Sequence, residues 1–225
     1  MLGIIKWESE QPTSFAGDVK GVFPSFIPKT DQERIQNLSH ELADWQKTDI
    51  TWEVQEKCEG QSVTVVFNDA EFDVCSRNLC LKESDSNTLW VTALKYDLRN
   101  KLTTLSRNIA IQAELIGPKV QNNIYKLTDH QLAVFDIFDI DQKSYLTPAE
   151  RTVLVDQLGL INAPLIDANF SLTGFTIDQL LEMADGKTTI NKSEHLREGL
   201  VFKANTRERI SFKTVSNKYL LKTDS

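Results

Sequence analysis

The chain reads as an α+β protein whose strands are mostly antiparallel. Three observations predict this class. Short runs rich in β-branched and aromatic residues recur and turn back through polar positions, as in ITWEVQEKC, SVTVVFND and EFDVCSRN. Between them lie segments with apolar residues at helical spacing. The two kinds do not alternate regularly, as a doubly wound parallel sheet would require.

The start is punctuated by Gly17, Gly21, Pro24 and Pro28, so it is expected to be extended or looped. In KTDQERIQNLSHELADWQK, Thr30 or Asp31 offers a cap, and Ile35, Leu38 and Leu42 follow at helical spacing, which predicts a helix. The period then switches to two. ITWEVQEKC places Trp52 and Val54 on one face, SVTVVFND is a β-branched strand entering a turn, and EFDVCSRN is its hairpin partner. TLWVTALKYDLRNKLTTL, with Leu94, Leu98 and Leu102 four apart, predicts the next helix. IAIQAELIG and LAVFDIFDI are apolar strands. TPAERTVLVDQLG is a helix with Pro148 in its first turn and Gly159 near its end, and FTIDQLLEMAD is a shorter one. GLVFKANTRERISFKTVSNKYLL closes as two strands joined by a polar turn. No internal linker or repeat interrupts this order, so residues 1–225 are expected to form one domain.

Composition excludes several classes. With 25% charged and 40% hydrophobic residues over 225 positions, the chain can bury a substantial core and is not a disordered one. A net charge of -7 argues against non-specific adhesion to nucleic acid, though not against a local basic cleft. No apolar run is long enough to span a membrane, and the opening MLGIIKWESEQ lacks the pattern of a signal peptide. Cys58, Cys75 and Cys80 are scattered and odd in number, as expected of reduced thiols in an intracellular protein. Neither they nor His40, His130 and His195 have zinc-ligand spacing.

The residues that stand out are charges at strand ends. Lys57 lies between Glu56 and Glu59 in EKCEG, just before a buried strand, and Gly60 allows a tight turn beside a ligand. A lysine amine is nucleophilic only when neutral, and the neighbouring acids favour the ammonium unless a metal ion offsets them. A solvated turn is the competing reading. Glu114 sits in the apolar run IAIQAELIG, where an isolated carboxylate is costly. It either points to water from an edge strand or contacts a ribose hydroxyl or a metal. Glu198 opens and Lys203 closes REGLVFK, while Lys213 follows Phe212 in ISFK and so faces away from it. Phe135 in LAVFDIF is either a core aromatic or a platform for a base. Arg77 in CSRN and Arg34 in KTDQERIQN are either phosphate contacts or surface ion pairs.

In order, these segments resemble the motifs of the covalent nucleotidyltransferases, and among them the ATP-dependent RNA ligases. EKCEG looks like the nucleophile motif, SRN the short motif after it, IQAELIG the glutamate motif and AVFDIF the base-stacking strand. REGLVFK and ISFK look like the two closing motifs, and FPSFIPKTDQERIQN resembles ligases that repair nicked duplex RNA. The resemblance runs from about Phe23 to Leu221. It implies an ATP-grasp-like nucleotidyltransferase domain with antiparallel sheets flanked by helices.

By the same resemblance, Lys57 attacks the α-phosphorus of ATP, expels pyrophosphate and forms lysyl–AMP. AMP then passes to a 5′-phosphate RNA end, and a 3′-hydroxyl displaces it to seal the strand. Lys57, Glu59, Glu198 and Lys213 are the implied catalytic residues. Gly60, Arg77, Glu114, Phe135 and Lys203 join them around ATP, with Phe135 stacked on adenine. Glu59, Glu114 and Glu198 are the implied ligands of Mg²⁺ or Mn²⁺, oxygen donors that suit either ion. Arg34 and Arg77 are the implied contacts to RNA.

Two departures stand out. Many relatives end on lysine-x-lysine, whereas here Lys213-Thr214-Val215 has valine second, with Lys218 further on. Ligases of this superfamily also generally carry a further domain for nucleic acid or ATP, for which little room is left, so the chain is expected to be a catalytic domain of a longer ligase. A GTP-using capping enzyme, a DNA ligase and a non-catalytic RNA-binding module are the alternatives. Nucleotide competition, the requirement for an RNA 3′-hydroxyl and a covalent intermediate separate them in turn.

Overall fold

Alternation along the strands leaves one face of each sheet apolar, and helices cover those faces. The computed structural model describes residues 18–206 and 209–223; the opening stretch through Gly17 lies outside them. In chain order the first strands are β1 (Val19–Val22), β2 (Glu33–Arg34), β3 (Thr51–Lys57), β4 (Gln61–Asn68), β5 (Glu71–Cys75) and β6 (Leu79–Leu81). There follow β7 (Ile109–Ile116), β8 (Gln131–Asp139), β9 (Ser144–Tyr145), β10 (Ile161–Asn162), β11 (Leu165–Ser171), β12 (Gly199–Ala204) and β13 (Ser211–Val215). The helices are α1 (Ser39–Trp45), α2 (Thr88–Lys95), α3 (Leu98–Leu105), α4 (Pro148–Leu158), α5 (Ile177–Ala184) and α6 (Asn217–Thr223).

The larger sheet has the order β1-β6-β5-β4-β7-β8-β10, with β9 added on β8; the smaller is β11-β3-β12-β13-β2. All pairings are antiparallel except β10 on β8 and β2 on β13. Helices α2, α3 and α4 seal one face of the larger sheet through Trp90, Leu98, Leu102, Leu154 and Val155. Trp52, Val54, Phe202 and Phe212 of the smaller sheet pack with Leu42 of α1 and Leu180 of α5. The α+β class and the mostly antiparallel pairing are as the sequence predicts.

Local chemistry sets most ends. Thr147 and Thr176 each form a capping box at the start of α4 and α5, with Glu150 and Gln179 as partners. Gly159 ends α4 with φ +69°, a conformation costly for other residues. Asn87 caps α2 by accepting the Leu89 and Trp90 N–H groups.

Two expectations need correction. The helix expected from Thr30 or Asp31 starts only at Ser39; Glu33–Arg34 instead pairs with the open edge of β13, and residues 35–37 form one 3₁₀ turn that buries Ile35. The helical segment from Thr88 to Leu105 is broken, because Asp97 takes a left-handed conformation (φ +55°) between α2 and α3. The four-residue leucine spacing survives because both helices pack on the same sheet face. The hairpin of β4 and β5 forms as expected and continues into β6, where Cys80 lies opposite Cys75.

At Gly199 β12 lies close against β13: a Cβ there would lie 2.1 Å from the Thr214 carbonyl oxygen. Gly199→Ala is expected to lower stability by about 1–3 kcal/mol, as overpacking does, measured by urea unfolding. Wild-type stability would contradict this reading of the β12–β13 contact.

Candidate active site

Register in the smaller sheet builds one wall of a cleft. Lys57 lies opposite Gly199, Gln55 opposite Val201, and Glu53 opposite Lys203, while Val201 lies opposite Lys213 on the other side. Alternation sends Trp52, Val54, Phe202 and Phe212 into the core and turns Gln55, Lys57, Lys203 and Lys213 towards the cleft. The larger sheet supplies the facing wall. There Ser62, Glu114 and Ala133 stand abreast on β4, β7 and β8, and Phe135 follows on β8.

Two cavities occupy the cleft, of about 170 Å³ and about 540 Å³. Lys57, Ser62, Arg77 and Glu114 line both. The smaller adds Phe135, Lys203 and Lys213; the larger adds Glu59, Gly60 and Glu198. Thus every implied site residue borders one cavity or the other except Arg34. That residue is exposed on β2, in register with Lys213.

Lys57 donates from Nζ to Glu198 Oε1 at 2.5 Å, a charge-assisted contact between the end of β3 and the start of β12. The Glu56 carboxylate is engaged elsewhere: buried, it accepts from Thr188 Oγ1 and from the Thr189 N–H and hydroxyl at 2.9 and 3.1 Å, tying the end of β3 to that loop. The Glu59 N–H donates to Tyr125 Oη, and Glu59 Oε1 accepts the Asn122 N–H at 3.3 Å. A Cβ at Gly60 would lie 2.3 Å from the Leu115 carbonyl oxygen and 2.8 Å from Glu114 Cγ, so only glycine lets this turn approach β7 so closely.

Glu114 is on an interior strand, between β4 and β8, which removes the edge-strand reading. Burial raises its carboxyl to about 8; the Lys57 charge opposes that rise and Glu198 adds to it. Lys203 donates from Nζ to Gln55 Oε1 at 2.7 Å and to the Phe135 carbonyl at 2.6 Å, and stands 3.1 Å from Asp136 Oδ2. Burial pulls its amine down to about 7, against the attraction of Asp136. Lys213 is also lowered, first by burial and then by the Lys57 charge. Arg77 pairs with Asp31 at the cavity rim.

Lys218 does not take the place of the second lysine in the last motif. It pairs with Asp185 at 3.2 Å and borders neither cavity, while Val215 is buried. The residues the sequence reading passed over are Gln55, Asp136, Tyr125 and Arg209. Asp136 carried a signal like that of Glu114, a carboxylate inside an apolar strand. Arg209 carried none, since it lies in a polar turn.

The carboxylates suit a hard divalent ion. Glu59, Glu114 and Glu198 share the larger cavity, and Glu59 Oε2 is buried without a hydrogen-bond partner among the described residues. No three acid, histidine or cysteine side chains among the described residues are gathered closely enough to enclose an ion by themselves. No helix among the described residues is long and apolar enough to cross a membrane.

Comparison with known proteins gives a consistent set of matches. A family model described as RNA ligase matches residues 50–220. Naegleria gruberi RNA ligase, solved as a lysine-to-methionine variant with AMP and Mn, is 41% identical with a TM-score of 0.85, covering 98% of this chain and 65% of that one. The same ligase with pyrophosphate gives 41% identity and a TM-score of 0.85, covering 100% and 66%. A lysine-to-alanine variant with ATP and Mn gives 40% and 0.85, covering 97% and 64%. This chain therefore spans about two thirds of the length of the ligase it matches. No curated protein matches.

The raised Glu114 carboxyl has a consequence for stability. The native state holds this proton to about pH 8, whereas a carboxyl in the unfolded chain releases it near 4.5. Between those values the native state binds more protons, so its stability falls as pH rises. Glu114→Gln is expected to gain stability relative to wild type between about pH 5 and about pH 8, measured by urea unfolding across that range. Parallel pH curves would contradict the shift.

Proposed function

The chain belongs to the RNA ligase family, and we propose that it is the adenylyltransferase domain of an ATP-dependent RNA ligase. The observation that carries this reading is the position of Lys57 where the two cavities meet. An acceptor lies 2.5 Å away, Lys203, Lys213 and Arg77 surround the cleft, and Phe135 lies at the far side. A cleft with clustered cations and one aromatic face suits a polyphosphate carrying a base. Naegleria gruberi RNA ligase has been solved with ATP and Mn, with AMP and Mn, and with pyrophosphate.

The reaction is assigned as follows. The Lys57 ammonium passes a proton to Glu198, and the free amine attacks the α-phosphorus of ATP in line with the departing pyrophosphate. Lys213 and Arg77 neutralise the phosphate oxygens as charge develops on them. Phe135 holds the adenine, and Lys203, buried beneath it, supports that platform through the Phe135 carbonyl. Glu114, carrying its proton near neutral pH, can donate a hydrogen bond as well as accept one, which suits a ribose hydroxyl. Glu59 and Glu198, joined by Glu114 once it is ionised, would hold a hydrated Mg²⁺ or Mn²⁺, which when bound supplies positive charge to the phosphates and favours loss of the Glu114 proton.

AMP then passes to the 5′-phosphate of an RNA end, and a 3′-hydroxyl attacks to join the strands. Arg77 and Arg34 are assigned to the RNA, with nicked duplex as the substrate. The two-sheet arrangement around the cleft is taken as the ATP-grasp-like form of the domain. Residues 1–225 act as one catalytic unit, with a further nucleic-acid-binding domain in the full ligase. Three free, buried cysteines support an intracellular setting.

Lys57→Ala is expected to abolish sealing of a nicked RNA duplex and all ATP-dependent labelling. Lys213→Ala is expected to slow labelling about 100-fold, the loss typical of removing one charge-stabilising group. Quantified transfer of labelled AMP checks both. Labelling of Lys57→Ala at the wild-type rate would overturn the assignment.

A further inference from the structure

At the Phe135 end of the smaller cavity, five charged side chains meet. Glu53 comes from β3, Asp136 from β8, Arg151 from α4, Lys203 from β12 and Arg209 from the turn before β13. The first four are each no more than 4% exposed. Arg151 grips both oxygens of Glu53, one through Nη1 at 3.1 Å. Arg209 grips both oxygens of Asp136, one through Nη1 at 3.0 Å, and lays its guanidinium 4.0 Å from the centre of the Tyr145 ring. Two carboxylates are thus matched by two guanidiniums. Lys203 is the fifth charge and shares Asp136 with Arg209: its shorter contacts are to the neutral oxygens of Gln55 and Phe135, and it stands 3.1 Å from Asp136 Oδ2.

We propose that Arg209 is a positioning residue that sets the charge beneath the nucleotide: by holding both oxygens of Asp136 it keeps that carboxylate from closing fully on Lys203 under Phe135. This rests on the reading of the cleft as an ATP site. The charged groups facing Lys203 are Glu53 and Asp136, which favour its ammonium, and Arg151 and Arg209, which oppose it; Tyr145 faces Arg209. Burial, with the two arginines adding to it, brings the Lys203 amine to about 7, so it changes charge near neutral pH. Once neutral, Lys203 has one donor fewer for Gln55, the Phe135 carbonyl and Asp136. The platform under the base then loosens. Without Arg209, both oxygens of Asp136 turn to Lys203 and its ammonium survives to higher pH.

The test is an NMR titration of lysine side-chain nitrogens, from about pH 5.5 to about pH 9, in wild type and Arg209→Gln. The Lys203 signal is assigned by its loss in Lys203→Met. In wild type Lys203 is expected to titrate near neutrality, and in Arg209→Gln at least about one pH unit higher, a tenfold gain in proton affinity. KM for ATP in lysyl–AMP formation is expected to rise through the same midpoint in each protein, while kcat does not follow it. Arg209→Lys keeps the charge but cannot grip both oxygens, and its midpoint is expected between the two; it serves if Arg209→Gln does not fold. Equal midpoints in variant and wild type, or a KM that is flat across the titration, would overturn the proposal. Failure of wild type to form lysyl–AMP would instead reject the ATP site itself, and the titration would still decide the charge assignment.

Discussion

Compensation of buried charge between the two sheets is the constraint on which the rest of the structure depends. Glu53 on the smaller sheet is gripped by Arg151 from the helix behind the larger one. Lys203 on the smaller sheet reaches the Phe135 carbonyl and Asp136 on the larger. Breaking such a pair strands a charge out of water, at a cost of about 3–5 kcal/mol. The sheets therefore have a fixed relation at this end of the cleft. Strand register carries that relation along β3, from Glu53 through Gln55 to Lys57.

That geometry explains how Lys57 sits beside several acids. Lys57 is held as an ion pair with Glu198. Burial raises the Glu114 carboxyl to about 8, which limits the negative charge in the cleft when no metal ion is bound. The Glu56 carboxylate is engaged by Thr188 and Thr189. Of the acids near Lys57 in sequence, only Glu59 keeps its carboxylate on the cleft, bordering the larger cavity.

Much of this was legible in the sequence, because period and turn chemistry are local. Trp52, Val54, Phe202 and Phe212 alternate with the residues that face the cleft, so opposite faces could be read directly. The site residues announced themselves as charges within apolar strands. What escaped depends on distant partners. Glu33 and Arg34 pair with a strand almost 180 residues later, and no local signal shows that an edge there needs covering. The break at Asp97 preserves the leucine spacing, so the pattern could not reveal it. Arg209 lies in a turn that reads as solvent-exposed, and its partner Asp136 is brought to it only when the sheets meet.

The central claim is that Lys57 is the residue that bonds to AMP. It is tested most directly by incubating the protein with ATP and Mn²⁺ or Mg²⁺ and locating the added AMP by tandem mass spectrometry of its peptides. The expected result is a single adduct on the Lys57 side chain. An adduct confined to another lysine, or none in a folded protein with either metal, would contradict the account.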